Sequence, residues 1–404
     1  MRQTPPRTSR GFGSRSAAAP RGSDVSERFA WDGALIGCSV LLVGIGVVMN
    51  YSTTAAHEIG AAVPGLAIRH WLGVAAGLIA AAISARVPLA FWRRIALPFW
   101  GACFALLLAT VTLGLEANGA RRWLAVPGLP ISIQPAEPMR LAMVLALASV
   151  LAAASHRGAP RPAALRAVVP LVLLPVVLLL LQPNFSSAAV LIGLAGLLLF
   201  ASGLPLRLFA IPGALALAGA CAYVAMRPYA LARVNGFLDP WQSARGAGFQ
   251  LVQSFVAFGR GGSLGVGIGA GRQKLFYLPE AHTDFILSVV AEELGLVGVL
   301  VVIGAFAGIA IFGLRVARRA RDPFSLLVAT GMTAVVTVPA MLNAAVVMGL
   351  APTTGLALPF LSHGSNSLVC TGIALGILLR AAAREAAPAP RNEPGERLRG
   401  GVPA

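Results

Sequence analysis

Asp284 is the penultimate residue of the stretch Leu278-Pro-Glu-Ala-His-Thr-Asp-Phe285 and stands where a polar segment gives way to a long apolar one. A carboxylate at a membrane boundary is costly and is usually retained for function, and its natural chemistry is to accept a proton. Thr283 reads as a helix N-cap, which would set Asp284 in the first helical turn. There the helix dipole favours the ionised carboxylate, while burial beside lipid favours the neutral one. Glu280 lies four residues earlier, so a helical path would place both carboxylates on one face, and Pro279 opposes that path. His282 either orients this pair or a ligand hydroxyl, or is a structural histidine.

A second set of residues suits anion binding. Arg121, Arg122, Arg260, Arg272 and Lys274, the only lysine in the chain, share their side of the membrane with Asp284, as do Arg69, Arg227, Arg233 and Arg245. Guanidinium forks match phosphate oxygens, so an outward cavity for an anionic ligand is one reading; surface solvation and pairing with Glu116, Asp239 and Glu280 is the other. Glu137 and Arg140 lie about one turn apart and read as an internal salt bridge rather than as catalysts. Glu292 and Glu293 lie deeper in apolar sequence, with helix pairing and a functional relay both open.

The elements that must position these groups follow from composition. Hydrophobic residues make up 57% of the 404 and charged residues only 12%, too few to clothe a soluble surface. Apolar stretches of about 17 to 25 residues recur, the length that crosses a bilayer core. They fall near 33–52, 71–87, 95–115, 136–154, 166–182, 186–203, 206–226, 284–314, 325–349 and 366–381. The fold class is therefore an all-α polytopic membrane protein of about ten transmembrane helices. A large extracytoplasmic loop, 227–283, separates the seventh and eighth and is expected to hold interfacial half-helices. Its glycines match no P-loop or dinucleotide pattern. The eighth segment is longer than a bilayer needs, so it is expected to tilt or to begin outside the lipid.

Residues 1–29 and 383–404 read as disordered cytoplasmic tails flanking a membrane domain over 30–382. The N-terminal tail has no apolar core or cleavage site of a removable signal, so the first span is expected to stay as an anchor. Most of the 32 basic residues lie in these tails and in alternate loops, including Arg86, Arg93, Arg94, Arg315, Arg318, Arg319 and Arg321. The positive-inside rule then puts both termini in the cytoplasm of a bacterial inner membrane. That rule also accounts for the net charge of +17, and no basic groove with interleaved aromatics suggests nucleic acid. Cys38, Cys103, Cys221 and Cys370 fall inside spans, without disulfide or metal-ligand spacing.

An ordered set of motifs adds a resemblance. Asn118-Gly-Ala-Arg-Arg-Trp123, Gln134-Pro-Ala-Glu137, Gly248-Phe-Gln-Leu-Val-Gln-Ser254, Ala257-Phe-Gly-Arg-Gly261, Gln273-Lys-Leu, the Leu278–Phe285 stretch, Glu292-Glu-Leu-Gly295 and Pro352-Thr-Thr-Gly-Leu356 occur in that order. Over roughly residues 30 to 381 this resembles the SEDS family of FtsW and RodA, and the wording around His282 and Arg260 is more similar to the FtsW division branch. The resemblance implies a peptidoglycan glycosyltransferase that polymerises lipid II at the outer face, releases undecaprenyl pyrophosphate, and works with a class B penicillin-binding transpeptidase and other divisome membrane proteins.

It also implies that Asp284 is the general base, taking the proton of the acceptor hydroxyl as it attacks the anomeric carbon with inversion. The pyrophosphate needs positive charge, which Arg121, Arg122, Arg260, Arg272 and Lys274 would supply. A divalent cation, magnesium or manganese, would do the same work, although the sequence presents no ligand set for one. The family pattern is broken in three places: Asn184 follows Gln182-Pro183 where Asp is usual, Pro138 and Arg140 replace a larger apolar residue and Lys, and Leu361-Ser-His-Gly-Ser-Asn-Ser367 replaces Ser-Tyr-Gly-Gly-Ser-Ser. A flippase for the same lipid-linked precursor, or a scaffold that recruits the transpeptidase, are the alternatives.

Overall fold

In lipid the backbone of an apolar segment must satisfy its own polar groups, and the helix is the local form that does so. The computed structural model describes residues 22–55, 63–117, 120–125, 128, 132–156, 161–204, 219, 225–226 and 228–386. Eleven helices of more than one turn are named here: α1 (Gly22–Ala55), α2 (Gly65–Arg86), α3 (Leu89–Leu113), α4 (Ala136–His156), α5 (Arg161–Leu181), α6 (Phe185–Ala201), α7 (Pro228–Leu238), α8 (Phe249–Gly261), α9 (Ile286–Arg318), α10 (Pro323–Val347) and α11 (Ser365–Ala386). Of these, α1 to α4 and α9 to α11 are long and apolar enough to cross a membrane, and α5 and α6 contribute shorter apolar segments. The expected seventh span, 206–226, lies almost wholly outside the described residues, as do residues 1–21 and 387–404.

α4 and α10 are the most enclosed spans and form the centre of the bundle, with Met139, Met143, Leu147, Val328 and Met332 fully buried. Peripheral helices keep large apolar side chains such as Leu72, Ile79 and Leu173 exposed, as lipid permits. α2 and α11 make the most extensive helix pair. A Cβ added at Gly372 would stand 2.1 Å from the Gly77 carbonyl oxygen, and one at Gly376 2.3 Å from that of Ala81. Small residues four apart on both helices let the backbones touch, the usual way of packing spans that have no hydrophobic drive toward one another.

Among the described residues the β structure is one small sheet between α3 and α4. β1 (Leu115–Ala117), β2 (Ala120–Ala125) and β3 (Ser132–Ile133) pair antiparallel in that order, with Glu116 opposite Arg121 and Leu124 opposite Ile133. This sheet carries the Arg121-Arg122 pair over the end of the bundle.

The long eighth segment is broken as well as long. Gly295 adopts φ 68°, ψ −165° inside α9, which interrupts the helical ladder there. The glycine-rich chain after α8 fills the gap: Val266 and Gly267 N–H donate to the carbonyls of Glu292 and Glu293 at 3.0 and 3.1 Å. In return Leu296 and Val297 N–H donate to Gly262 and Ser263 at 2.9 and 3.2 Å. Side chains do not fit in this contact, since a Cβ at Gly265 would lie 2.2 Å from the Glu293 carbonyl. Broken helices survive at membrane depth only where another part of the protein satisfies the freed groups.

Candidate functional site

Asp284 does not sit in a first helical turn. α9 begins at Ile286 with Phe285 at its cap position, and Thr283 caps nothing there. The Thr283 hydroxyl instead donates to the Glu280 carboxylate at 2.7 Å, while Thr283 and Phe285 N–H both donate to the Glu280 carbonyl. Glu280 itself has φ +56°, so the chain reverses after Pro279 and the two carboxylates share a tight turn rather than a helix face. The expected helical cap fails because the turn at Glu280 delays the helix to Ile286, which leaves Phe285 rather than Thr283 at the cap position.

Three contacts from distant sequence hold this turn. Asn343 Nδ2, on α10, donates to the Asp284 carbonyl and to the Leu356 carbonyl, both at 2.7 Å. Ser362 Oγ donates to the Thr283 carbonyl at 2.6 Å, and His363 N–H to the His282 carbonyl at 2.9 Å. The 361–367 segment thus supplies two of the three contacts on the Asp284 turn. His282 packs edge-on against the His363 ring, with centroids 5.8 Å apart. Burial, with the His282 and Arg69 charges beside it, lowers the His363 imidazole from the ordinary histidine range.

The Asp284 carboxylate faces the Pro352–Leu356 loop, where a Cβ on Gly355 would come within 3.2 Å of its Oδ2. Gly355 has φ +73°, a conformation that costs glycine nothing, so the loop can approach this closely. Arg233 on α7 braces the loop by donating to the Thr353 carbonyl at 3.1 Å, and Ser186 Oγ donates to that of Thr354. Arg122 on β2 donates to the Gln182 and Pro183 carbonyls in the α5–α6 turn. Burial pushes the Asp284 carboxyl up to about 6, the Glu280 charge adds to this, and the Arg233 and Arg122 charges oppose it. That balance leaves a carboxylate basic enough to take a proton yet largely ionised at neutral pH.

The anticipated basic residues divide into separate places. Arg122 reaches the Asp284 field, as does Arg233, which the anticipated substrate-binding set left out. Arg121 points to Glu116 at 3.5 Å, both exposed, on the rim of a cavity of about 300 Å³ lined also by Gln182, Pro183 and Val111. Lys274 does not offer its charge to a ligand: it is buried, and Nζ donates to Ser52 Oγ, the Gly269 carbonyl and Glu293 Oε1, which uses all three of its protons. Arg260 pairs with Glu292 at 3.1 Å, and Arg272, whose side chain is exposed, gives its backbone N–H to the same carboxylate. Glu292 and Glu293 therefore tie the glycine-rich chain to the broken helix.

Glu137 and Arg140 form a buried pair at 3.1 Å, and Arg140 reaches Ser187 on α6 at 3.4 Å. Asn184 caps α6 by accepting from Ser187 N–H, while Gln182 Nε2 donates to the Leu107 carbonyl on α3. These four residues join α3, α4, α5 and α6 behind the site. Asn343, Ser362, His363, Gly355 and Arg233 are the site residues that the sequence reading did not assign. The available signals were an asparagine in an apolar span and the Thr353–Gly355 motif. Among the described residues no group of three or more His, Cys, Asp or Glu side chains comes together to hold a metal.

Residues 33–387 match the cell cycle protein family of FtsW, RodA and SpoVE. A relative from Alkalilimnicola ehrlichii, a probable peptidoglycan glycosyltransferase FtsW, is 41% identical over 389 residues, covering 92% of this chain and 95% of its own. One of the same name from Halomonas elongata is 38% identical over 363 residues, covering 86% and 89%. Among solved structures, a chain from work on structural coordination of polymerization and crosslinking by a peptidoglycan synthase complex aligns with TM-score 0.71 at 28% identity, covering 87% of this chain and 97% of that one. The Thermus thermophilus rod shape determining protein RodA aligns with TM-score 0.64 at 25% identity over 87% and 96%.

Proposed function

Because this chain belongs to the FtsW, RodA and SpoVE family, we propose that it is a peptidoglycan glycosyltransferase that polymerises lipid II, with Asp284 as general base. The observation that supports this most directly is the Asp284 carboxylate, raised to about 6 and set on a clamped turn in the field of Arg122 and Arg233. The acceptor hydroxyl gives its proton to this carboxylate as its oxygen bonds to the donor's anomeric carbon. The bond from that carbon to the pyrophosphate oxygen breaks, the pyrophosphate leaves on its polyprenyl carrier, and the centre inverts. In this reading the positive charges of Arg122 and Arg233 offset the charge on the leaving group. No covalent sugar is formed, so no second nucleophilic carboxylate is required.

The arginine distribution favours cytoplasmic tails in the bacterial inner membrane, with the Asp284 end outside. Likeness to a chain from a peptidoglycan synthase complex supports a class B penicillin-binding transpeptidase as partner, and the FtsW-named relatives support a role in division. The direct test gives the purified chain lipid II, with and without that partner and with magnesium or manganese. Glycan strands are expected; movement of lipid II across vesicles without any glycan would instead favour a flippase.

The pH dependence carries a signed expectation. Asp284 is a base only when ionised, so polymerisation falls as pH drops through about 6. Glu280→Gln removes a charge that raises this carboxyl, so the acid limb should move to lower pH; Arg233→Gln removes one that lowers it, so the limb should move up. Profiles of kcat/KM against pH that shift in the same direction for both variants would contradict the assignment. For stability the sign is opposite: a raised carboxyl stabilises the fold most below the ordinary carboxylate range, and that contribution is lost as pH rises through about 6.

A further inference from the structure

At the end of the bundle opposite Asp284, the α2–α3 turn, the start of α10 and the last turns of α11 enclose a cavity of about 440 Å³. That volume lies in the range of small-ligand sites, about 300–1,000 Å³. Its walls are of two kinds. Pro88, Leu89 and Phe324 form an apolar shelf, and Arg93 and Arg380 supply guanidinium groups. Arg93 lies over the Phe324 ring, 5.6 Å from its centroid, so one face of the cation is packed and its edge N–H groups are directed by that stacking.

Arg380 is half-buried on α11 and makes no hydrogen bond or ion pair among the described residues. The one acid in the lining, Asp322, caps α10, one carboxylate oxygen accepting Ser325 N–H at 3.0 Å and the other Ser325 Oγ at 2.8 Å, so its single negative charge faces two arginines in the lining. The remaining charge around the mouth is basic, with Arg86 and Arg94 exposed on the flanking turns.

We propose that this cavity seats the headgroup of an anionic phospholipid, its phosphate between Arg93 and Arg380 and its first acyl carbons on the Pro88, Leu89 and Phe324 shelf. The source is a lipid rather than a soluble phosphate because the cation pair is joined to an apolar wall at the end of three spans. Basic pockets between transmembrane helices bind phospholipid headgroups in this way. The site is distant from Asp284 and does not depend on the transferase reading.

The test uses the full chain in detergent, presented with phosphatidylglycerol, cardiolipin or phosphatidylcholine, with retained lipid counted by native mass spectrometry and the melting midpoint followed. Wild type should retain the anionic lipids selectively and melt higher with them. Arg93→Gln/Arg380→Gln should weaken retention by at least about tenfold, the loss expected for two charge-assisted contacts. Arg94→Gln, an exposed arginine outside the cavity, should not.

Equal retention by the glutamine pair, or an equal loss in Arg94→Gln, overturns the site. Millimolar inorganic phosphate that raises the midpoint as much as phosphatidylglycerol overturns the lipid assignment. If the glutamine pair does not fold, Arg93→Lys/Arg380→Lys keeps the charge but not the planar fork and should bind more weakly than wild type; unchanged binding overturns the proposal.

Discussion

Asp284→Asn is expected to lower lipid II polymerisation by about 10² to 10⁴-fold, the usual contribution of a positioned general base. Asparagine keeps the shape and cannot accept the proton. The turn should survive the change, because Asn343, Ser362 and His363 hold it through the carbonyls of Asp284, Thr283 and His282 rather than through the carboxylate. Removing a charge that burial disfavours should leave the melting midpoint equal to or above wild type at neutral pH. A variant that folds and polymerises within about tenfold of wild type would remove Asp284 from the base role. One that loses activity only together with its fold would make Asp284 a structural residue.

Lys274→Met is expected to be the most damaging single change to stability. Glu293 is fully buried, and its carboxylate is answered by Lys274 at 2.6 Å, Ser52 Oγ and Gly269 N–H. Methionine fills much of the lysine's volume but leaves a buried carboxylate without its cation, a loss of about 3–5 kcal/mol for broken buried pairs. Adding Glu293→Gln removes the orphaned charge, so the double variant should recover a large part of the lost midpoint. The comparison is read by thermal unfolding in detergent. If Lys274→Met melts with wild type, the pair does not hold the broken helix. Because this pair fastens the glycine-rich chain across the Gly295 break, the single variant should also lose polymerisation without any contact to Asp284.

Hydropathy alone was enough for the seven helices long and apolar enough to cross a membrane, since a run such as Ala136–His156 has no other way to bury its backbone in lipid. Asp284, the Glu137–Arg140 pair and the basic residues near Asp284 in the sequence were also legible, because charge is scarce in such a chain. The break at Gly295 was not legible. A glycine within an apolar run reads as a tolerated helical residue, and only the arrival of residues 262–267 makes an interrupted ladder affordable. Nor was the sorting of cations: Arg122 and Lys274 look alike in sequence, yet one lies in the Asp284 field and the other is locked against Glu293.

The sequence by itself determined a many-span membrane protein, its family and the aspartate at the edge of the long eighth segment. Those properties depend on local composition and on motif order, which need no partner from elsewhere in the chain. Only the tertiary structure decided which charge meets which. Asn343, Gly355, Ser362 and Arg233 reach the Asp284 turn from three separate segments of chain, and the basicity of its carboxyl is set by burial and by Glu280, Arg233 and Arg122 together. Electrostatic energy depends on distance and dielectric in space, and sequence separation carries neither.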